Sequence, residues 1–404
     1  MGSVLRSKDR ERIAKSRADL VVGIPTLNCA HTVNYVAHQV TKGLIEYFPD
    51  DEAMVLVSDG RSTDGTLDVV NAIHLSSDVK LFGFRHKGIG KGVGIKAILE
   101  AAKVLAAQGV AIIDGDVRSV TPEWTKLLLG PTIRGTDLVV PLYKRHKYDA
   151  TITNNICFPF TLALYGKKVR QPIGGEFGLS RRLYEQVLRN GFWKNPYTPK
   201  FGVDITITHT ALGRGYGVKQ AMLGAKIHDP KDPRALAPMF EQVTGAMFTC
   251  MIECENVWRT ISGVEAVPIV RGERIYSSPE PVSVDAYRIV ADYKAGIQQA
   301  LGSLRRFLPI DLVRGIEKVG KGKVFDFPTE LWIKILYSVA SSFKKFPRER
   351  RVLLDVLRIL WIGRVGSFVS STTGISDEEA EAIIVKNAGR FVDLKDYLLR
   401  VYSK

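Results

Sequence analysis

The sequence predicts an α/β protein with a mainly parallel sheet, continued by a helical region. Three observations carry that prediction. Short, unbroken apolar runs recur through the first 145 residues, and continuous runs rather than alternating ones mark strands buried on both faces. A helical stretch separates each run from the next, the β-α-β order of a parallel sheet. Carboxylates or glycine-rich turns follow the runs, at the strand ends where open α/β sheets bind ligands.

In chain order, residues 1–18 carry Arg6, Lys8, Arg10, Arg12, Lys15 and Arg17 among few apolar residues, and read as a frayed tail or short exposed helix. Leu20-Val21-Val22-Gly23-Ile24 is a buried strand, ended by Pro25, with the loop Pro25–Asn28 behind it. A helix is expected from Thr32 to Tyr47. Met54–Asp59 is the next strand, and Gly60-Arg61-Ser62-Thr63-Asp64-Gly65-Thr66 is a turn whose polar side chains can cap orphan N–H groups. Val79–Phe84 is a third strand. Gly88-Ile89-Gly90-Lys91-Gly92-Val93-Gly94 precedes a helix from Ile95 to Ala107. Glycines there allow close backbone approach to an anion, with Lys91 adding a full charge; the bland alternative is a flexible turn. It is not a P-loop, because no Gly-Lys-Ser/Thr closes it. Asp137–Tyr143 is a further strand.

The run Val110-Ala111-Ile112-Ile113 leads into Asp114-Gly115-Asp116. Two acids one residue apart at a strand end suit a hard divalent cation, which takes a carboxylate or two plus substrate phosphates. The alternative is a polar strand-end turn.

The chain has 404 residues, enough for two domains, and a formal charge of +15. That charge favours anionic partners such as sugar nucleotides, phosphorylated metabolites, nucleic acid or anionic lipid; a solvated basic surface is the plain reading. Cys29, Cys157, Cys250 and Cys254 are too scattered for a disulfide framework. Cys250 and Cys254, four apart in an apolar helical stretch, read as buried thiols rather than a zinc site. No signal peptide or membrane-spanning run is visible, so a cytoplasmic location is the default expectation.

Further on come Lys144-Arg145-His146-Lys147-Tyr148-Asp149, then Thr153, Gln171-Pro172-Ile173-Gly174-Gly175-Glu176-Phe177, Phe201-Gly202-Val203-Asp204 and Ala225-Lys226-Ile227-His228. With these motifs the chain resembles glycosyltransferases of the GT-A fold. It is most similar to the retaining enzymes that glycosylate three-carbon acids, the glucosyl-3-phosphoglycerate and mannosylglycerate synthases. The resemblance runs from Leu20 to about Pro233. It implies a basic tail at 1–18, a GT-A catalytic domain at 19–235 and a helical domain at 236–404.

The resemblance further implies roles. Pro25, Thr26, Leu27, Asp59, Lys91, Asp114 and Gly115 would line the nucleotide pocket. Asp116 and His228 would hold Mg²⁺ or Mn²⁺. Ile173, Gly174, Gly175, Glu176 and Asp204 would surround the donor sugar, with Asp116, Glu176 and Asp204 as the catalytic set. Arg145, Asp149 and Thr153 would bind the acceptor. The donor would be UDP-glucose, GDP-glucose or GDP-mannose, and the acceptor 3-phosphoglycerate or glycerate, with retention at the anomeric carbon. Departures from the pattern are Cys29 where an acid is usual, Arg61 where the strand-end turn usually has a small residue, and Asp229-Pro230-Lys231 after His228. The basic run 144–147 carries more charge than glycerate needs and favours the phosphorylated acceptor.

From Ala235 onward the pattern is helical: Met239–Ile261, Val284–Leu301, Pro328–Phe346 and the Arg-bearing Arg351–Val369, with a capping box at Ser376 and Glu379 opening a final helix pair. Arg351–Val369 reads as core, dimer seam or a face for an anionic membrane, and a homodimer through this region is expected. Two other functions compete. A polyprenyl-phosphate or polysaccharide glycosyltransferase of the same fold would need that membrane face. A nucleic-acid-binding protein would use the charge and basic tail, but no reading helix or stacking motif is present.

Overall fold

The computed structural model describes every residue except 1, 76–78, 190, 229–232, 274–277, 322–324 and 404. The chain packs as two compact units. One is Met1–Lys144 with Val169–Asp229 and Ala266–Pro279; the other is Arg145–Lys168 with Pro230–Glu265 and Glu280–Lys404.

The first unit is built on strands β1 Leu20–Thr26, β2 Ala53–Asp59, β3 Lys80–Arg85, β4 Gly109–Ile112, β5 Leu138–Lys144, β6 Phe177–Ser180, β7 Val218–Ala225 and β8 Ile269–Val270. They form one eight-stranded sheet in the order β8-β7-β5-β6-β4-β1-β2-β3. Only β6 runs antiparallel to its neighbours among the described residues. This is the GT-A-type arrangement. Both faces of the sheet are buried: Val21, Leu56 and Ile112 enter one apolar cluster, and Val22, Val55 and Ala111 the other. Each such valine, leucine or isoleucine contributes about 1.5–3 kcal/mol by leaving water. The helix Val33–Tyr47 shows how the layers lock, burying Val33, Val36, Val40 and Leu44 at helical spacing.

Two local expectations change. β1 continues through Pro25 to Thr26, in register with Ser58 and Asp59. The Pro25 carbonyl accepts from Gly115 N–H, so the missing proline N–H faces the side where β4 has already ended, and no ladder bond is lost. The basic N-terminal segment is a short helix, Ser7–Ile13, and it is anchored rather than frayed. Val4, Leu5 and Ile13 join the core cluster. The Glu100 carboxylate accepts from the N–H groups of Val4 and Leu5, and Lys96 Nζ donates to the Gly2 carbonyl at 2.7 Å.

The second unit is helical. The expected helix 239–261 is two, Ala237–Glu253 and Glu255–Trp258, broken at Cys254. Arg350–Ser371 is the central helix, with Leu353, Leu357, Leu360, Trp361 and Val365 all buried. Even Arg364 lies inside, its Nη1 donating to the Phe327 carbonyl at 2.6 Å. Most of this helix is therefore core, with Arg351 and Val352 exposed near its start. Among the described residues no helix is long and apolar enough to cross a membrane. Ser376 and Glu379 make the expected capping box.

Candidate functional site

The residues after β4 form the centre of a charged cluster. Ile113 N–H donates to the Gly23 carbonyl and Gly115 N–H to that of Pro25, docking this loop against β1. Asp114 then meets two lysines. Lys91, in the first turn of the helix Lys91–Leu105, places Nζ 2.9 Å from Asp114 Oδ1 and 3.2 Å from Asp204 Oδ2. Lys226 lies just past β7, with Nζ 2.9 Å from both Glu176 oxygens, 2.8 Å from the Gly174 carbonyl and 3.5 Å from Asp114 Oδ2. The Tyr143 hydroxyl donates to Glu176 Oε2 at 2.5 Å. Gly175 has φ 100°, and a Cβ there would stand 2.4 Å from Asp114 Oδ2, so only glycine lets this run pass the carboxylate.

Three carboxylates (Asp114, Glu176, Asp204) face two ammoniums (Lys91, Lys226), leaving the cluster one negative charge in excess. Burial opposes the charge on Lys91, but Asp114 and Asp204 outweigh it and hold its ammonium protonated, above the usual lysine range. Burial likewise opposes ionisation of Asp114, and the two lysines reverse that and keep its carboxyl below the usual range. Asp204 goes the other way: burial, reinforced by the negative charge of Asp114, raises it. Its Oδ1 is buried with no hydrogen-bond partner, an acceptor waiting for a donor.

Asp116, one residue past Gly115, is half-buried and forms no ion pair or hydrogen bond through its carboxylate among the described residues. The segment bearing His228 runs beside it: Arg118 N–H donates to the Ile227 carbonyl at 2.8 Å, and Ile227 N–H to Ser119 Oγ at 3.0 Å. One carboxylate and one imidazole fit a divalent cation that completes its shell with water and phosphate oxygens, the habit of Mg²⁺. Among the described residues no group of three His, Cys, Asp or Glu side chains is placed to hold a metal ion. Asp229-Pro230-Lys231, noted as a departure, lies outside the described residues.

The loops after β1 and β2 are stitched together. Asn28 N–H donates to Ser62 Oγ at 2.8 Å, Thr63 N–H to Asn28 Oδ1 at 2.9 Å and Gly60 N–H to the Thr26 carbonyl at 2.8 Å. Asn28 and Arg61 hold left-handed backbone, φ 55° and 72°, a conformation that disfavours an arginine by about 1–2 kcal/mol. Asp59 is fully buried. Its carboxylate accepts from the N–H groups of Arg61 and Ser62 and from Arg85 Nε at 3.2 Å, so it is used up in closing its own turn. His86, at the end of β3, is buried with Nδ1 3.1 Å from Ser58 Oγ. Burial, only partly countered by Asp59, lowers its pKa to about 4.

The glycine loop differs from its expected use. Gly92 N–H donates to the Lys200 carbonyl and Val93 N–H to that of Pro199. A Cβ at Gly90 would lie 2.4 Å from the Pro199 oxygen. These glycines admit a neighbouring backbone rather than an anion, and the ammonium of Lys91 is what this loop offers a phosphate. Asp204 is not a helix cap; it lies in the first turn of Val203–Gly213, aimed at Lys91.

Arg145, Asp149 and Thr153 belong to the second unit. Arg145 Nη1 stands 2.7 Å from Asp149 Oδ2, and Thr153 is buried at the start of a short π-helical turn, Thr153–Cys157. Lys147 is engaged elsewhere in that unit, its Nζ donating to the carbonyls of Thr372 and Ile375. The basic run 144–147 is thus partly structural, which removes part of the charge argument for a phosphorylated acceptor.

Sequence reasoning missed Lys226 and Tyr143. Lys226 is flanked by Ala225 and Ile227, which make it look like part of an apolar strand end. A lysine inside such a run, 7% exposed, must find partners, and that was the available signal. Tyr143 gave none.

Residues 21–188 match the family described as Glycosyl transferase family 2. Among solved structures, the chain is similar to glucosyl-3-phosphoglycerate synthase from Mycobacterium tuberculosis in complex with Mn²⁺, UDP and phosphoglyceric acid. Identity is 25%, covering 63% of this chain and 84% of that one, with a TM-score of 0.46. The same enzyme with Mg²⁺ and UDP matches at 24% identity over 63% of this chain and 85% of that one, TM-score 0.46. Its complex with Mn²⁺, UDP-glucose and glycerol 3-phosphate matches at 24% over 62% and 86%, TM-score 0.44. No functionally curated protein matches the chain.

Proposed function

We propose that the chain, whose residues 21–188 form a glycosyltransferase family 2 domain, moves a hexose from a nucleotide-diphosphate sugar to 3-phosphoglycerate or glycerate. The transfer would retain anomeric configuration and use Mg²⁺ or Mn²⁺. The observation that carries this reading is Lys91, bridging Asp114 and Asp204 at the carboxyl end of a parallel sheet. One ammonium there meets both the diphosphate and the sugar.

When bound at Asp116 and His228, the cation would neutralise the diphosphate as it departs. The remaining work falls to side chains already fixed. Lys91 supplies positive charge on the leaving-group side. Asp204 Oδ1, buried and unpartnered, accepts a donor-sugar hydroxyl. Glu176 is wrapped by Lys226 and Tyr143, and Asp114 by two lysines. Neither carboxylate is set up as a nucleophile, which supports a same-face displacement. The acceptor hydroxyl oxygen bonds the anomeric carbon as the phosphate oxygen leaves, and that oxygen takes the hydroxyl proton. Arg145, oriented by Asp149, is proposed to pair the acceptor carboxylate or phosphate, with Thr153 adding a hydroxyl donor.

The test is release of nucleoside diphosphate from UDP-glucose, GDP-glucose and GDP-mannose. Each is offered 3-phosphoglycerate, D-glycerate or no acceptor, with Mg²⁺ or with chelator. Release that needs both cation and a three-carbon acid is the expected result. Turnover that ignores the acceptor or survives chelation would overturn it. Arg145→Ala should raise the acceptor KM by at least about tenfold while nucleotide affinity holds.

A further inference from the structure

Arg61 occupies a backbone position that would suit glycine better. Its φ is 72°, in the left-handed region. The turn needs only its N–H, which donates to Asp59 Oδ2 at 3.0 Å, and glycine would supply that donor without strain. An arginine held there directs attention to its side chain. That side chain is exposed, and its guanidinium has no hydrogen-bond or ion-pair partner among the described residues.

The surroundings are those of a seat for a flat, polar-edged ring. At the adjacent Gly60, a Cβ would meet the Thr26 carbonyl at 3.1 Å, His86 Cε1 at 3.6 Å and Leu27 Cβ at 3.7 Å, so all three border this turn. Leu27 is 60% exposed and offers an apolar shelf. His86, 2% exposed and tied to Ser58 through Nδ1, has a buried Nε2 with no partner. Apolar shelf, unpaired guanidinium and orphaned ring nitrogen thus gather at the carboxyl ends of β1 and β2, beside the loop expected to hold the nucleotide.

We propose that Arg61 reads the base of the nucleotide donor and makes guanine preferred over uracil. This rests on the nucleotide-sugar reading above. Guanine presents two acceptors, O6 and N7, on one edge, and the arginine fork matches both at once. Uracil's two carbonyls are separated by an N–H, so the fork gains a single bond. The base would lie on Leu27 with its edge toward Arg61.

Calorimetric titration of GDP and UDP, each with Mn²⁺, tests this on the full chain. The wild type should bind GDP the more tightly. Arg61→Gly should weaken GDP about tenfold and leave UDP within about twofold. The same variant should raise Tm by about 2 °C, because the left-handed strain is relieved. A gain in stability joined to a loss of base preference is not what a structural arginine would give. Arg61→Lys keeps the charge and loses the fork, and should show the glycine variant's GDP-to-UDP ratio. Equal weakening of both nucleotides would place Arg61 on the phosphates and overturn the inference, as would an unchanged ratio. Failure of the wild type to bind either nucleotide would instead overturn the reading on which the inference rests.

Discussion

The carboxyl ends of β2 and β4 both carry charge-paired acids, one fully buried and one half-buried, yet they are satisfied in opposite ways. At β2, Asp59 is closed by backbone: two N–H groups of its own turn, with Arg85 alongside. At β4, Asp114 is held by lysine side chains alone, and so is Asp204 beyond it. A backbone donor cannot leave without unfolding the turn. An ammonium on a four-carbon stem can exchange one anion for another. The first acid is a piece of the fold; the second lies in the cluster proposed above to take in a diphosphate and a sugar. Two strands of one sheet therefore separate structural charge from exchangeable charge.

The largest effect expected from this contrast is on Asp114. Asp114→Ala should lower kcat/KM about a thousandfold while Tm falls little, because Lys91 retains Asp204 and Lys226 retains Glu176. A collapse in Tm with activity per folded molecule preserved would erase the distinction. Next comes Lys226, which ties Glu176 and the Gly174 carbonyl to Asp114. Lys226→Met should lower kcat about a hundredfold, since Glu176 keeps only Tyr143 to position it, and nucleotide affinity should change less. Lys226→Arg should restore part of the loss. A loss of nucleotide affinity in Lys226→Met as large as the loss in kcat, restored by Lys226→Arg, would mean that Lys226 acts on the phosphates and not on Glu176.

The sequence made the sheet legible because strands buried on both faces must be continuously apolar, and Val21, Val22 and Ile24 show that pattern directly. It also made Asp114 and Asp116 legible as candidates, since carboxylates at a strand end stand out against such runs, while Lys91 stood out in its glycine-rich turn and Asp204 only through the family resemblance. It did not reveal that Asp59 is consumed by its turn, because hydrogen bonding to a residue's own backbone leaves no mark in composition. Nor did it reveal that Gly90 and Gly92 accommodate the 198–200 segment, a contact between residues more than a hundred positions apart. Lys226 escaped because a three-residue window of two apolar side chains and one lysine looks like a strand end. The anchored N-terminal segment escaped because its apolar residues Val4, Leu5 and Ile13 are outnumbered by charges, and three well-placed side chains suffice to dock a short segment.

A smaller effect belongs to the β2 end. Asp59→Asn keeps the shape but removes charge from an acceptor of two N–H groups and a guanidinium, and should destabilise the protein by about 2–3 kcal/mol in urea unfolding. The contrast predicts that stability, rather than kcat, carries most of this change. If Asp59→Asn abolished turnover with its unfolding midpoint unmoved, Asp59 would join the exchangeable acids and the comparison would fail.

The smallest effect is a pH dependence that also arises at the β2 end. Burial lowers the His86 pKa to about 4, against an ordinary 6.5. The folded protein therefore prefers neutral His86, while the unfolded chain takes up a proton below pH 6.5. The stability that depends on neutral His86 is fully present above that pH and is lost as pH falls toward 4. Between pH 7 and pH 5 the loss from this residue is about 2 kcal/mol. His209, fully buried and lowered by burial to about 3, shifts stability in the same direction, so the wild-type profile alone does not isolate His86. The difference between wild type and His86→Gln does, because glutamine can still bond Ser58 and carries no titrating proton. The variant's stability should fall less steeply over that interval, by the same 2 kcal/mol, in urea unfolding at each pH. Parallel profiles for the two proteins would show that burial does not lower the His86 pKa, and a shallower fall for the wild type than for the variant would show that the folded state holds His86 protonated. Its ring would then act as a charged partner of Asp59, and the β2 end would hold an exchangeable ion pair of the kind found at β4.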